Sequence, residues 1–160
     1  MVAKGLDPLA EARRQWDAHG WSDAAPGMAA LTSLMRTQQV ILARVDEQLS
    51  PFGLTFARFE LLRLLAFTRR GELPLGKLGE RLQVHPTSIT SAVNRLEKQG
   101  FVERRPHPSD RRATLAVLTG AGSQVVESAT EVLNREVFAD VGLSVWEVEQ
   151  LLRLLAKVRK

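Results

Sequence analysis

A short run of small polar residues is the clearest candidate for chemistry in this sequence. These residues lie between positions 86 and 95 and carry hydroxyl, amide and guanidinium groups: Pro86, Thr87, Ser88, Thr90, Ser91, Asn94 and Arg95. Small side chains near the N-terminus of a helix let its backbone approach the DNA major groove, and the helix N-terminus itself favours phosphate. We expect Asn94 and Arg95, further along the helix, to reach either a base edge or a phosphate.

A second candidate is the loop Pro106-His107-Pro108-Ser109-Asp110-Arg111-Arg112. Negative potential is strongest in narrow, A·T-rich minor grooves, so we expect Arg111 and Arg112 to enter one. Asp110 is placed to hold the Arg112 guanidinium by a charge-assisted bond. His107 is most simply interpreted as solvent-exposed.

Charge is concentrated in the same region. Between residues 69 and 112 there are ten basic and five acidic residues, so this segment has a charge of +5, while the rest of the chain sums to −1. A basic segment in an otherwise near-neutral chain predicts a polyanionic partner for that segment. The alternative is an ordinary solvated surface.

The sequence around these residues predicts a helix, a break, a second helix and a hairpin, in that order. Apolar spacing predicts helices over 75–82 and 86–99, separated by His85-Pro86, because proline suits a helix start. Alternation predicts short strands over 101–105 and 114–118. This order is typical of a winged helix-turn-helix, in which 86–99 is the recognition helix and 106–112 the tip of the wing. The competing interpretation is a solvated helix beside an idle hairpin.

The remaining segments predict further helices, giving a mainly α fold with a small β-hairpin wing. Asp7-Pro8 starts a helix over 8–19, a loop covers 21–27, and apolar periodicity indicates helices over 28–49 and 55–67. Thr119 caps a helix to about 140, and the capping box Ser144-x-x-Glu147 opens the last one. The predicted regions are an N-terminal extension (1–27), a first dimerisation helix and turn (28–54), a winged-helix lobe (55–119) and C-terminal dimerisation helices (120–160).

The apolar faces of 28–49, 120–140 and 144–158 exceed what one small winged-helix core can bury. We therefore predict an obligate homodimer assembled from both ends of the chain.

No enzyme motif or metal-binding motif is complete in this sequence. The chain has no cysteine and three widely spaced histidines, so no metal site and no cofactor are expected. Residues 71–77 match a phosphate-binding loop, but Leu78 stands where serine or threonine should hold magnesium. Gly120-Ala121-Gly122 starts a dinucleotide-type string that stops at Val125, and is interpreted as a flexible start to a helix. Neither a signal peptide nor a membrane helix is predicted, so a cytoplasmic location is expected.

Two stretches resemble the MarR family of transcriptional regulators: GLTFARFELLRLL, and LGERLQVHPTSITSAVNRLEKQGFVERRPHPSDRRATLAVLT. The resemblance covers about residues 28–160. It implies a homodimer that binds a near-palindromic promoter site, usually as a repressor released by a small ligand. It places Pro86–Ser91, Asn94 and Arg95 on the recognition helix, and Asp110 and Arg112 on the family's D-x-R wing motif. Family members that sense oxidants through an N-terminal cysteine are excluded as a model for this chain.

The extra N-terminal helix resembles the urate-responsive branch of the family. There a tryptophan and an acidic residue line a ligand pocket, and Trp16 and Glu60 match those positions, although the branch has aspartate at the latter. The alternative role for Trp16 is ordinary packing. We predict a site for a small anionic or aromatic ligand near Phe52, Phe56 and Glu60, with Trp16 as a lid. A second hypothesis is a protein-interaction or architectural module without an effector.

Overall fold

Helices dominate the part of the chain that this computed structural model describes, residues 7–110 and 112–159. The α-helices are α1 (Pro8–Ala18), α2 (Ala25–Leu49), α3 (Phe56–Ala66), α4 (Leu75–Leu82), α5 (Pro86–Lys98), α6 (Gly120–Leu133) and α7 (Val145–Val158). The strands β1 (Glu72–Pro74), β2 (Val102–Pro106) and β3 (Thr114–Leu118) form an antiparallel sheet in the order β1-β3-β2. The mainly α fold with a small β wing is therefore confirmed. No helix within the described ranges is long and apolar enough to cross a membrane.

Residues 1–44 and 45–160 form two compact units. In the first unit, the Asp7 side chain accepts a hydrogen bond from the Leu9 amide at 3.0 Å and caps α1, as predicted. Helix α2 begins at Ala25, earlier than expected, so the predicted loop over 21–27 is too long. Pro26 suggested a loop, but it lies in the first turn of α2, where its missing N–H costs no helical hydrogen bond.

The second unit is built around α3, which contacts α4, α5, α6 and the sheet. Its core consists of fully buried aliphatic side chains from each surrounding element: Leu49, Leu61, Leu62, Leu65, Leu78, Val93, Leu96, Val102, Val126 and Leu133. The start of α3 is fixed by a long-range cap that the sequence did not indicate. Thr55 makes no side-chain cap bond, and the carboxylate of Asp46 accepts from the Phe56 amide at 2.7 Å.

Strand β1 was not predicted. It pairs with β3 in the register Glu72 to Val117, Leu73 to Ala116 and Pro74 to Leu115. Three residues are too few to show an alternating pattern, and the partner strand lies far along the chain. This strand also settles the phosphate-loop match, because residues 71–77 fold as a strand and the first turn of α4 rather than as a loop around an anion.

Gly122 is required by a close approach and not by flexibility, which corrects the interpretation of residues 120–122. The glycine is buried in the first turn of α6, where a Cβ atom would overlap the carbonyl oxygen of Phe101 and lie 2.9 Å from Leu118 Cδ1. The Thr119 hydroxyl fixes this junction: it accepts from the Gly122 amide at 3.0 Å and donates to the Gly100 carbonyl at 2.7 Å. The predicted cap at Thr119 is confirmed.

The C-terminal helices differ slightly from the prediction. The segment expected to be helical to about 140 is α-helical to Leu133 and then π-helical over Asn134–Phe138. The capping box at Ser144 is present in full, and it opens α7 as predicted. None of the described residues of α7 is buried, and its apolar side chains stay exposed: Leu151, Leu152, Leu154 and Val158.

Candidate nucleic-acid interface

The break between α4 and α5 is a short, well-defined turn. Gln83 ends α4 in the left-handed conformation, at φ 54°. His85 is the N-cap of α5, and its Nδ1 accepts from the Thr87 amide at 3.3 Å, while Pro86 occupies the first helical position. The predicted break at His85-Pro86 is therefore correct, and the residues at the N-terminus of α5 are exposed.

Helix α5 separates apolar and polar residues cleanly. Ile89, Val93 and Leu96 are buried against the core. All the predicted contact residues on this helix are exposed: Pro86, Thr87, Ser88, Thr90, Ser91, Asn94 and Arg95. Five of them line one shallow depression: Pro86, Thr87, Thr90, Ser91 and Asn94. The side chains nearest the N-terminus of α5 are small, which suits insertion into a groove.

Arg104 ties the wing to the recognition helix, a contact that sequence reasoning missed. Its guanidinium donates to Asn94 Oδ1, and its Nε lies 3.6 Å from the Glu97 carboxylate. The backbone amide of Arg104 also donates to Glu97 Oε1, at 3.3 Å. The sequence signal was limited to an arginine early in a strand, since only the folded register brings Arg104 beside α5.

The wing tip is held by backbone hydrogen bonds. His107 Nδ1 accepts from the amides of Ser109, at 3.3 Å, and Asp110, at 3.2 Å, so this half-buried ring organises the turn rather than pointing freely into solvent. Asp110 Oδ1 accepts from the backbone amide of Arg112 at 2.9 Å. Within the described residues, Asp110 makes no ion pair with the Arg112 guanidinium, so the predicted charge-assisted bond is corrected to a turn-closing one. Arg112 is exposed, and Arg111 lies outside the described residues.

A cleft lined by two arginines lies where α3 begins beside α5. Thr55, Arg58, Ser88, Ser91 and Arg95 line one cleft there. Arg58 donates to Thr55 Oγ1 at 3.3 Å and to Gln99 Oε1 at 3.2 Å, while Gln99 donates to the Gly53 carbonyl at 2.9 Å. The sequence did not single out Arg58, because it belongs to a helix recognised by its apolar residues.

Two of the residues predicted to bind a ligand line the same cleft in the second unit, and their role in ligand binding stays a prediction. Phe56 and Glu60 line one cleft of about 340 Å³ with six further residues: Phe59, Arg63, Leu64, Phe67, Leu82 and Phe138. Burial raises the pKa of the Glu60 carboxyl. Phe52 does not line this cleft and packs against the core.

Arg63 stands over the aromatic wall of the same cleft. Its guanidinium lies 4.6 Å from the centre of the Phe67 ring, donates to Glu127 at 2.8 Å and lowers the pKa of that carboxyl. Trp16 belongs to the other unit, where its ring meets Trp21 edge-on at 5.2 Å. Its part in a ligand site stays a prediction.

Comparisons with known proteins agree with this architecture. The MarR family model matches residues 54–114. The multiple antibiotic resistance protein MarR of Escherichia coli is 32% identical over 119 residues, which are 71% of this chain and 79% of that protein.

Solved structures extend the match. Sco5413, a MarR family transcriptional regulator from Streptomyces coelicolor, is 47% identical with a TM-score of 0.76, over 84% of this chain and 93% of that one. Sco3205, a MarR family regulator from the same organism solved in complex with DNA, is 26% identical with a TM-score of 0.74, over 84% and 86% of the two chains. The prediction of a transcriptional regulator rather than an enzyme is confirmed, and this chain belongs to the MarR family of winged helix-turn-helix transcriptional regulators.

Proposed function

We propose that the chain acts as a homodimer that binds an inverted-repeat operator and represses transcription until a small molecule releases it. The observation that carries the proposal is the exposed polar face of α5 beside an exposed wing arginine, all in one compact unit. Support comes also from the related regulator Sco3205, whose structure was solved in complex with DNA. The related regulators come from bacteria, where DNA lies in the cytoplasm, so a cytoplasmic location belongs to the same proposal.

In this proposal, α5 of each protomer enters a major groove, and the two grooves lie about one helical turn apart. Thr87, Ser88, Thr90 and Ser91 allow close approach, and Asn94 and Arg95 contact bases or phosphates. Arg111 and Arg112 reach the minor groove from the wing tip, where A·T-rich flanks attract them most. Asp110 contributes indirectly, because its bond to the Arg112 amide fixes the turn.

The dimer is supported by the exposed apolar side of α7. Leu152 is 57% exposed and Leu154 is 55% exposed in the single chain, which is unusual for leucines on an amphipathic helix. A second copy of the chain supplies a matching surface by symmetry. We infer that α7 packs against its counterpart, so that the two copies of α5 are held at a fixed spacing.

The experiment is an operator titration at several salt concentrations. Arg112→Ala should weaken binding by at least about 1 kcal/mol and flatten the salt dependence, because a cationic contact to DNA is lost. Asp110→Ala should cost less. Ser88→Ala and Thr90→Ala should change which bases are tolerated while leaving the salt slope nearly intact. Unchanged affinity and slope for Arg112→Ala would remove the wing from the DNA interface.

Ligand release is proposed at the cleft that contains Phe56 and Glu60. Its aromatic lining suits a planar molecule, and burial raises the pKa of the Glu60 carboxyl that lies in it, which makes this group less costly to place near an anionic ligand than a solvated carboxylate. A tenfold change in operator occupancy requires a differential affinity of about 1.4 kcal/mol between the free and DNA-bound states.

A panel of aromatic carboxylates, titrated into the operator complex, tests this step. Glu60→Ala should lose the release while keeping operator affinity, and Glu131→Ala, an exposed residue of α6, serves as the control. Because the chain has no cysteine, mild peroxide should leave operator affinity unchanged. Specific, reversible release by peroxide would contradict non-covalent sensing.

A further inference from the structure

We propose that Arg104 is a positioning residue that turns the amide nitrogen of Asn94, rather than its oxygen, toward the major groove, and so selects guanine over adenine at one position of each half-site. The inference deepens the proposed function and rests on it, since α5 must enter the groove. The observation behind it is the contact between the Arg104 guanidinium and Asn94 Oδ1.

The direction of the Asn94 amide follows from chemistry. A guanidinium has only N–H donors, so the atom of Asn94 that meets it must be the carbonyl oxygen, not the amide nitrogen. The Nδ2 group, with two donors, is then the part of the side chain left for a partner. Asn94 is exposed and lies in the depression on the outer face of α5, together with Thr90 and Ser91.

Arg104 is itself held in place. Its Nε faces the Glu97 carboxylate at 3.6 Å, its backbone amide donates to the same carboxylate at 3.3 Å, and its terminal nitrogen lies 3.5 Å from the Thr90 carbonyl. The side chain is 31% exposed, against 58% for Arg105 next to it on the strand. Arg104 therefore contacts one helix through three residues one turn apart, and its charge is balanced by Glu97.

An asparagine held in this orientation discriminates between bases. A free asparagine pairs with adenine in the major groove, because its oxygen accepts from N6 while its nitrogen donates to N7. With Oδ1 turned toward Arg104, only Nδ2 faces the groove, so the oxygen is not placed to accept from the adenine N6 amine while Nδ2 donates to N7. Guanine offers two acceptors, O6 and N7, to the two donors of Nδ2, whereas cytosine presents a donor that opposes them. The arrangement therefore favours guanine.

The test is selection of bound duplexes from a library of random double-stranded DNA, followed by sequencing. The unmodified protein should enrich an inverted repeat with guanine at one position per half-site. Arg104→Met should lower the ratio of guanine to adenine at that position at least about fivefold, because Oδ1 is freed to accept from adenine. Affinity for a single non-specific duplex, and its salt slope, measure the loss of one positive charge separately, because that loss weakens binding to every sequence alike and does not change the base ratio.

Arg105→Met is the matched control. Arg105 pairs with Glu103 at 2.8 Å on its own strand and points to the opposite side of the sheet from Arg104, so its loss should leave the base ratio within about twofold. Asn94→Asp provides a second variant if Arg104→Met does not fold. An aspartate keeps the pairing with Arg104 but has no donor, so enrichment of guanine should disappear.

Each outcome decides a different point. If Arg104→Met, or Asn94→Asp in its place, enriches guanine as strongly as the unmodified chain, the inference is wrong. Weaker binding to every sequence with no change of base would mean that Asn94 contacts a phosphate, which also overturns it. If the unmodified protein enriches no repeated motif, the failure belongs to the proposed function itself.

Discussion

Helices α5 and α7 have nearly the same length, 13 and 14 residues, and each carries apolar side chains along one side. In α5, Ile89, Val93 and Leu96 are buried at 0–3% exposure, while three leucines of α7, Leu151, Leu152 and Leu154, are 42–57% exposed. Among the residues that the structure describes, α5 thus buries its apolar side within one chain, whereas most of the apolar side of α7 stays exposed. Equal amphipathicity therefore serves folding in one helix and, in our proposal, assembly in the other.

The largest expected effect comes from a charge on the apolar side of α7. Leu152→Glu should convert the dimer to a monomer with an intact winged-helix lobe, because an unpaired carboxylate in a dimer interface is costly. Operator affinity should fall at least about 100-fold, since two linked sites are replaced by one. Sedimentation equilibrium and operator titration measure the two effects.

Lys157→Glu, on the opposite side of α7, places the same charge away from the apolar residues and should leave the dimer intact. A Leu152→Glu protein that stays dimeric would contradict the proposal that the apolar side of α7 forms the dimer interface.

Matched truncations of the two helices should differ in how they depend on protein concentration. Leu96→Ala in α5 removes a fully buried side chain, so it should lower the free energy of unfolding by about 2–5 kcal/mol at any concentration. Leu152→Ala should destabilise the protein in a way that changes with concentration, because the lost contacts join two chains. Urea unfolding of both variants at two concentrations, tenfold or more apart, separates the cases. The same concentration dependence in both would contradict the distinction.

A single added methyl group tests how tightly the lobe behind α5 is filled. Gly122→Ala should cost about 1–3 kcal/mol, because its Cβ would meet the Phe101 carbonyl and Leu118. Gly120→Ala, two residues earlier, meets nothing within 4 Å and should be neutral or slightly stabilising. Thermal unfolding of the pair measures the difference, and equal midpoints would show that the junction can relax.

The smallest expected effect concerns the cap of α7. Bonds from the Ser144 hydroxyl and amide lower the pKa of Glu147, so its stabilising effect is present above the ordinary carboxyl range and is lost as pH falls through the lowered value. Glu147→Gln should therefore be less stable than the unmodified chain at neutral pH and approach it in acid. Unfolding measured from neutral to acidic pH checks this. The difference should shrink when both proteins carry Ser144→Ala, and a pH-independent difference would contradict it.

The recognition helix and the wing strands could be predicted because local patterns specify them. The polar residues of 86–95, the break at His85-Pro86 and the nearly alternating apolar residues of 114–118 each lie within a few consecutive positions, although in the structure three consecutive residues of β3 are buried. Strand β1 could not be predicted, since it has three residues and its partners Val117 and Ala116 lie far along the chain, beyond α4 and α5. The bond from the Phe56 amide to the Asp46 carboxylate could not be predicted either, because it joins two different helices.

The candidate nucleic-acid interface could likewise be predicted only where local sequence patterns specify it. Exposure of Thr87, Ser88 and Asn94 follows from helical periodicity, but the bond from Arg104 to Asn94 depends on how strand β2 lies against α5. His107 was expected to be free because its proline neighbours suggest an open loop. Its acceptor role depends on the turn that brings the Ser109 and Asp110 amides to its ring.

Each of the two edge strands of the sheet ends in a proline. Strands β1 and β2 are its two edges, and Pro74 and Pro106 are their last residues. Proline offers no N–H to an incoming strand, and a three-residue edge gives little template for one. When many copies of this protein crowd together, as during overexpression, the wing is therefore poorly suited to edge-to-edge β aggregation.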